Sequence, residues 1–139
     1  MTPPATDDCT IIQLPKIPDV RGNLTYIESG AHIPFRVRRS YWIYDVPGGE
    51  VRGGHAYRTL EEFVIALSGS FDLNVTDGST RRIIPMNRSY YGVYVPRLMW
   101  RQLTNFSTNS VCLILASGAF DESDYIRRFD DFVSIRSSE

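Results

Sequence analysis

The stretch 49–69, GEVRGGHAYRTLEEFVIALSG, decides the fold. Its spacing is G-x5-H-x-Y-x4-E-x6-G, set by Gly49, His55, Tyr57, Glu62 and Gly69. His55 and Tyr57 are two residues apart, so on a strand both project from the same face. Glu62 opens the apolar strand that follows, and Gly69 marks the turn at its end. The stretch therefore predicts neighbouring strands that carry an imidazole, a phenol and a carboxylate.

A second stretch, 96–105, reads PRLMWRQLTN and contains Arg101. Together the two stretches resemble the two halves of a cupin metal motif, with Tyr57 and Arg101 in place of two histidines. Arginine is always charged and donates hydrogen bonds without accepting any, so it does not ligate a metal as histidine does. We expect no metal and no cofactor, and a site suited to proton transfer on an anionic or oxyanion-forming substrate. A metal dioxygenase is disfavoured because one His and one Glu are too few ligands.

Short β-type runs separated by turn residues fill most of the chain and predict an all-β cupin or jelly-roll barrel. In Phe71–Thr76 apolar and polar residues alternate, and Asp77-Gly78 predicts a tight hairpin after it. With 139 residues the chain is long enough for one domain, 1–139. The predicted strands are 24–28, 38–45, 62–67, 71–76, 81–84, 90–95 and 111–116.

The two ends of the chain differ from this pattern. In Asp121–Val133 apolar residues recur at helical spacing, which predicts a short amphipathic helix on the outside of the barrel, with Asp121 as N-cap. The N-terminal segment 11–27 contains Pro15 and Pro18, so it is an edge strand or crosses to a partner subunit.

Composition excludes several function classes. The net charge is -1, which argues against nucleic-acid binding. No apolar run is long enough to span a bilayer. Two cysteines, Cys9 and Cys112, give no disulfide framework, so we expect a cytoplasmic protein.

Among the candidate catalytic residues, His55 is suited to act as a base because a free imidazole has a pKa near 6.5. Tyr57 is a proton donor or relay, and Arg101 stabilises negative charge that develops on the substrate. A buried Arg101 also needs an anion opposite it, either Glu62 or a substrate oxygen. His32 lies in a loop and is interpreted as non-catalytic.

Other candidates have two interpretations each. Glu62 is either an ion-pair partner or a group that orients His55 or accepts from a ligand hydroxyl. Trp100 is either core or cavity wall. Tyr41 and Trp42 take opposite faces of one strand, so one of them packs in the core.

Beyond the two motif halves, the chain resembles the cupin-type sugar 3,4-ketoisomerases, WxcM-like proteins that act on dTDP-4-keto-6-deoxyglucose. The resemblance covers nearly the whole chain, with specific matches at 52–56 (RGGHA) and 121–130 (DESDYIRRFD). Further matches are 19–24 (DVRGNL), 38–50 (RRSYWIYDVPGGE) and 67–70 (LSGS). Where the family shows His-Ala-His, this chain has His55-Ala56-Tyr57, and Glu62 stands where Gln is common.

The resemblance implies a metal-free homodimer with exchanged N-terminal strands. It implies transfer of a keto group from C4 to C3 of the sugar, which feeds an aminotransferase making a 3-amino-3,6-dideoxy sugar. Arg52 and Arg58 are candidates for binding the diphosphate, and Arg21 and Tyr41 for lining the sugar pocket. The alternatives are a nucleotide-sugar 3,5-epimerase, which typically pairs a His with a Tyr, and a non-catalytic sugar-nucleotide-binding cupin.

Overall fold

Two five-stranded antiparallel sheets face each other in the computed structural model, which describes residues 2–139. The first sheet has the order β1-β9-β6-β11-β4 and the second β12-β5-β10-β7-β8. The strands are β1 Thr10–Gln13, β2 Lys16–Ile17, β3 Leu24–Thr25, β4 Arg39–Tyr44, β5 Arg52–Tyr57, β6 Glu62–Ser68, β7 Phe71–Thr76, β8 Arg81–Met86, β9 Tyr91–Val95, β10 Trp100–Thr104, β11 Val111–Ala116 and β12 Tyr125–Ile126. The prediction of an all-β jelly-roll fold is confirmed.

The side chains of alternate residues fill the space between the sheets. Along β7, Phe71, Leu73 and Val75 are buried, and the residues between them are half-buried. They pack against Val64 of β6 and Ile114 of β11 in one apolar cluster. Alternation with a period of two therefore builds the core, as predicted for strands.

Strand β6 is buried on both faces, because a second cluster covers the outside of the first sheet. The side chains of Phe63 and Ile65 point away from the space between the two sheets, and they pack against Leu14, Ile33 and Phe35. The apolar run of β6 is continuous for this reason.

The outside of the second sheet is covered by the only α-helix in residues 2–139, α1 (Phe129–Ser138). Phe132 of this helix is fully buried against Trp100 and Ile126. The prediction of a short C-terminal helix is confirmed, but its predicted start at Asp121 was wrong. Asp121 caps a 3-10 helix at Glu122–Asp124, and β12 follows before the α-helix begins. Tyr125 and Ile126 satisfy helical spacing, but pairing with β5 places them in the sheet.

The N-terminal segment forms an edge strand and a separate hairpin. Strand β1 pairs with β9 of the same chain and lies at the edge of the first sheet, in line with one of the two expectations. Strands β2 and β3 form their own two-stranded sheet. Within residues 2–139 no helix is long and apolar enough to cross a membrane.

Candidate active site

Four strands bring the predicted site residues together between the sheets. Arg101 of β10 lies directly opposite His55 of β5 in the second sheet. Glu62 of β6 and Tyr41 of β4 reach the same space from the first sheet, since both contact Arg101. The two stretches that resemble the halves of a cupin motif, 49–69 and 96–105, therefore lie side by side, and the Arg101 side chain points into the space between the sheets.

Arg101 and Glu62 form a buried ion pair, each with a side chain only 1% exposed. Nε of Arg101 donates to Oε1 of Glu62 at 3.0 Å and Nη2 donates to the same oxygen at 2.8 Å. Burial would lower the pKa of Arg101, but Glu62 and the neighbouring tyrosines outweigh it and raise the pKa, so the guanidinium stays charged. The expectation of an anion opposite Arg101 is met by Glu62.

The tyrosine Tyr41 completes this network. Its Oη donates to Oε2 of Glu62 at 2.5 Å and accepts from Nη2 of Arg101 at 2.9 Å. Burial raises the pKa of Tyr41, so the phenol is protonated at neutral pH. Tyr41 is on the inner face of β4, and Trp42 is exposed on the outer face.

Gly53 leaves room for the Arg101 guanidinium. Its backbone φ is +70°, and a Cβ built on it would lie 2.1 Å from Nη1 of Arg101. The carbonyl of Gly53 accepts from the same Nη1 at 3.1 Å. Because Gly53 lacks a side chain, the guanidinium of Arg101 lies against its backbone.

Next to this network, His55 and Tyr57 contact each other through Nε2 and Oη at 2.9 Å. The shared strand face predicted from their spacing accounts for this contact. Burial, followed by the charges of Arg101 and Arg127, lowers the pKa of His55 to about 3. We expected a pKa near 6.5, and the structure corrects this, because His55 is half-buried beside cations. The imidazole is neutral at cellular pH and has a lone pair for a proton.

Burial raises the pKa of Tyr57, and the charge of Glu62 adds to the effect. Its hydroxyl therefore keeps its proton and serves as a donor. The group beside His55 is therefore a phenol that forms a hydrogen bond and whose ionisation is strongly disfavoured.

Tyr125 is a site residue that the candidates above do not include. It pairs with Tyr57 across β12 and β5. Its ring centroid lies 5.0 Å from that of His55 and 4.7 Å from that of Tyr57. The resemblance at 121–130 pointed to this part of the chain, but the helical spacing of its apolar residues predicted a helix, and not a strand, at Tyr125.

The other predicted site residues do not lie next to His55 in this chain; they are Arg21, Arg52, Arg58 and Trp100. Arg21 is 87% exposed in the loop between β2 and β3, where it pairs with Asp19. Arg52 is exposed at the start of β5, and Arg58 is exposed just after its end. Trp100 points to the other face of β10, where its ring packs against Phe129 and Phe132. There it lines an outer cleft of about 210 Å³ with Arg81 and Gln102.

Comparison with known proteins identifies the family. Residues 7–137 match the family model described as FdtA, WxcM-like, C-terminal. The chain belongs to this family. Among curated proteins, a TDP-4-oxo-6-deoxy-alpha-D-glucose-3,4-oxoisomerase of Aneurinibacillus thermoaerophilus is 39% identical over 122 residues, which is 88% of each chain.

Solved structures agree with the WxcM-like assignment. The 3,4-ketoisomerase QdtA of Thermoanaerobacterium thermosaccharolyticum, as a histidine-to-asparagine variant in complex with TDP-4-keto-6-deoxyglucose, superposes with a TM-score of 0.92. It is 32% identical, and the match covers 95% of this chain and 96% of QdtA. The epimerase NovW of Streptomyces spheroides has a TM-score of 0.75 at 17% identity, over 89% of this chain and 70% of NovW, which shows a shared fold alone.

Tyr57 determines which group lies beside the His55 imidazole. A second histidine would offer another titratable nitrogen beside His55. The phenol offers a hydrogen bond of 2.9 Å and keeps its proton. His55 is therefore the one neutral imidazole that the described residues place in this space.

Proposed function

We propose that this protein is a sugar 3,4-ketoisomerase that moves the keto group of dTDP-4-keto-6-deoxyglucose from C4 to C3. The observation that carries the proposal is the neutral imidazole of His55, which is in hydrogen-bond contact with Tyr57 and lies against the ring of Tyr125. The relatives' names support the substrate and the direction of the reaction. The sequence identity to ketoisomerases favours this activity over the epimerase alternative.

The reaction moves two hydrogens and needs no net oxidant. His55 takes the proton from C3, and the C–H electron pair forms the C3–C4 double bond while the C4 carbonyl oxygen becomes an oxyanion. The enediolate then takes this proton back from the His55 imidazolium at C4. The proton of the C3 hydroxyl passes to the oxyanion on C4, so that C3 carries the new keto group and C4 carries the hydroxyl. Because C3, which loses the proton, and C4, which accepts it, are adjacent, one imidazole reaches both carbons.

A low His55 pKa suits this cycle when the substrate is bound. In the free protein, burial of His55 and then the charges of Arg101 and Arg127 disfavour the imidazolium. An enediolate next to His55 adds a negative charge that stabilises the imidazolium, so the proton is accepted mainly when the intermediate forms. The proton then returns readily to carbon.

Tyr57 and Arg101 assist in different ways. Tyr57 orients the imidazole and donates to the oxygen at C3 or C4. The guanidinium of Arg101 already contacts Glu62, Tyr41 and the Gly53 carbonyl, so we assign it to positioning the Tyr41 hydroxyl. Tyr41 and Tyr125 then line the sugar pocket, and Arg52 and Arg58 remain candidates for the diphosphate.

We further propose a cytoplasmic homodimer with exchanged N-terminal strands. The β2–β3 hairpin supports it, because Ile17, Val20 and Leu24 are 51%, 106% and 55% exposed. Apolar side chains this exposed fit a contact with a second copy. Exchange would also carry Arg21 to the partner subunit. Light scattering should give twice the chain mass of 15.9 kDa, and a monomer at micromolar concentration would contradict the dimer.

The activity is tested by NMR of the 4-keto sugar nucleotide in D2O. A 3-keto product supports the isomerase; deuterium at C4 then reports exchange of the transferred proton with solvent, and its absence reports direct transfer from C3. Deuterium at C5 with the keto group still at C4 indicates an epimerase. Unchanged substrate signals over hours with saturable binding indicate a binding protein.

A further inference from the structure

Arg39 lies on the inner face of the first sheet, in the same row as Glu62. Arg39 pairs with Ala116 across β4 and β11, and Ala116 pairs with Glu62 across β11 and β6. Arg39 and Tyr41 are the half-buried residues of an alternating strand, while Ser40 and Trp42 are exposed. Ala116, which separates Arg39 from the buried carboxylate in this row, packs against Tyr57 and Leu60.

The guanidinium of Arg39 contacts aromatic rings and is not paired with a carboxylate in residues 2–139. Its Cζ lies 5.0 Å from the ring centroid of Tyr41 and 5.5 Å from that of Phe120. Its Nε is buried and has no acceptor among the described residues. Buried N–H groups are almost always satisfied in native proteins, and one on a cation is especially costly to leave without an acceptor.

Among the described residues around the site, the positive charge of Arg39 is the one that no carboxylate balances. The charge of Arg101 is balanced by Glu62, and Arg127 pairs with Glu122 at 2.7 Å. Burial raises the pKa of Tyr41 and Tyr57, so both keep their protons, and His55 is neutral. Arg39 therefore gives the inner space a net positive charge, which favours an anionic ligand.

We propose that Arg39 binds an anionic oxygen of the nucleotide-linked sugar. This rests on the proposed function, since it assumes that the substrate enters beside His55 and Tyr125. The oxygen belongs either to the diphosphate or to the enediolate formed on the sugar. Both present an acceptor to the planar guanidinium, whose free N–H groups form charge-assisted hydrogen bonds.

The competing explanation is structural: Arg39 would only clamp Tyr41, Phe120 and Tyr125 together, by cation–π contacts with the first two rings and a hydrogen bond to Tyr125. Phe120 is 60% exposed, so the clamp alone gives little reason for a desolvated Nε. A clamp also predicts that losing Arg39 lowers thermal stability without changing ligand affinity or rate.

The experiment compares Arg39→Met with Arg38→Met, which removes the same charge from an exposed neighbour. TDP and thymidine binding are measured by calorimetry, and turnover by NMR with the 4-keto sugar nucleotide. We expect Arg38→Met to stay within about twofold of wild type. Should Arg39→Met not fold, Arg39→Gln keeps a polar side chain of similar reach and removes the charge.

Three outcomes decide the proposal. TDP affinity lowered about tenfold to a hundredfold, with thymidine affinity unchanged, assigns Arg39 to the diphosphate. Unchanged TDP affinity with a similar loss of turnover assigns it to the enediolate. Unchanged affinity and turnover in a folded variant overturn the proposal. If wild type itself does not isomerise the sugar, the proposed function fails, while the TDP measurement still tests Arg39.

Discussion

The buried Glu62–Arg101 pair should show strong energetic coupling, which a double-mutant cycle measures. Glu62→Gln leaves a guanidinium that is 1% exposed without its counter-charge. Breaking one side of a fully buried pair costs about 3–5 kcal/mol. Because the Gln oxygen still accepts a hydrogen bond, we expect the lower end of that range. This is a large part of a total stability of about 5–15 kcal/mol.

Arg101→Met has the complementary effect. It leaves Glu62 buried with only Tyr41 as a donor, and we again expect a loss of about 3–5 kcal/mol. The double variant has no buried charge at this position, so its loss should be smaller than the sum of the two single losses by at least about 2 kcal/mol.

Urea denaturation followed by circular dichroism measures these losses. The matched control is Glu122→Gln, the same chemical change in an exposed pair whose carboxylate side chain is 61% exposed. It should cost less than about 1 kcal/mol. Losses for Glu62→Gln and Arg101→Met that add within about 0.5 kcal/mol in the double variant would refute the coupling.

Three further changes test the site. In the folded protein the pKa of His55 is lowered to about 3, so as the pH falls below 6.5 this histidine is protonated first in the unfolded chain. The free energy of unfolding should therefore drop by at most about 2 kcal/mol between pH 6.5 and 5. Denaturation curves of His55→Asn should lack this part of the pH dependence. Tyr57→Phe should lower the isomerase rate about tenfold with little change in melting temperature, while Tyr57→His should retain turnover; a Phe variant at the wild-type rate would remove Tyr57 from the mechanism. Gly53→Ala should displace Arg101 and destabilise the fold by more than about 1 kcal/mol, because the added Cβ would lie 2.1 Å from Nη1; an unchanged urea midpoint would contradict this.

A strand could be predicted from sequence where one of its faces is buried and the other is not. Phe71–Thr76 shows this, since its alternation was enough to give both the strand and its inner face. The short strands β2 and β12 carry only two residues each, too few for a periodic signal. Because β12 is too short to show strand alternation, the helical spacing of the residues around Tyr125 led to the prediction of a helix there.

Within the site, short-range relations were predictable and side-chain environments were not. The contact of His55 with Tyr57 follows from their spacing on one strand. The partner of Arg101 was narrowed to two candidates by the cost of a buried charge. The face taken by Trp100, the low pKa of His55 and the unpaired Arg39 depend on what packs across the sheets, and spacing along the chain does not contain that information.

Transfer of hydrogen by His55 is tested most directly with substrate deuterated at C3. Wild type in H2O should convert it to the 3-keto sugar more slowly than unlabelled substrate, with deuterium carried to C4 or released to solvent. His55→Asn should show no conversion, and His32→Asn, which alters the other histidine in a loop, should convert at the wild-type rate. Wild-type conversion by His55→Asn, or hydrogen lost from C5 while C3 keeps its deuterium, would contradict the account.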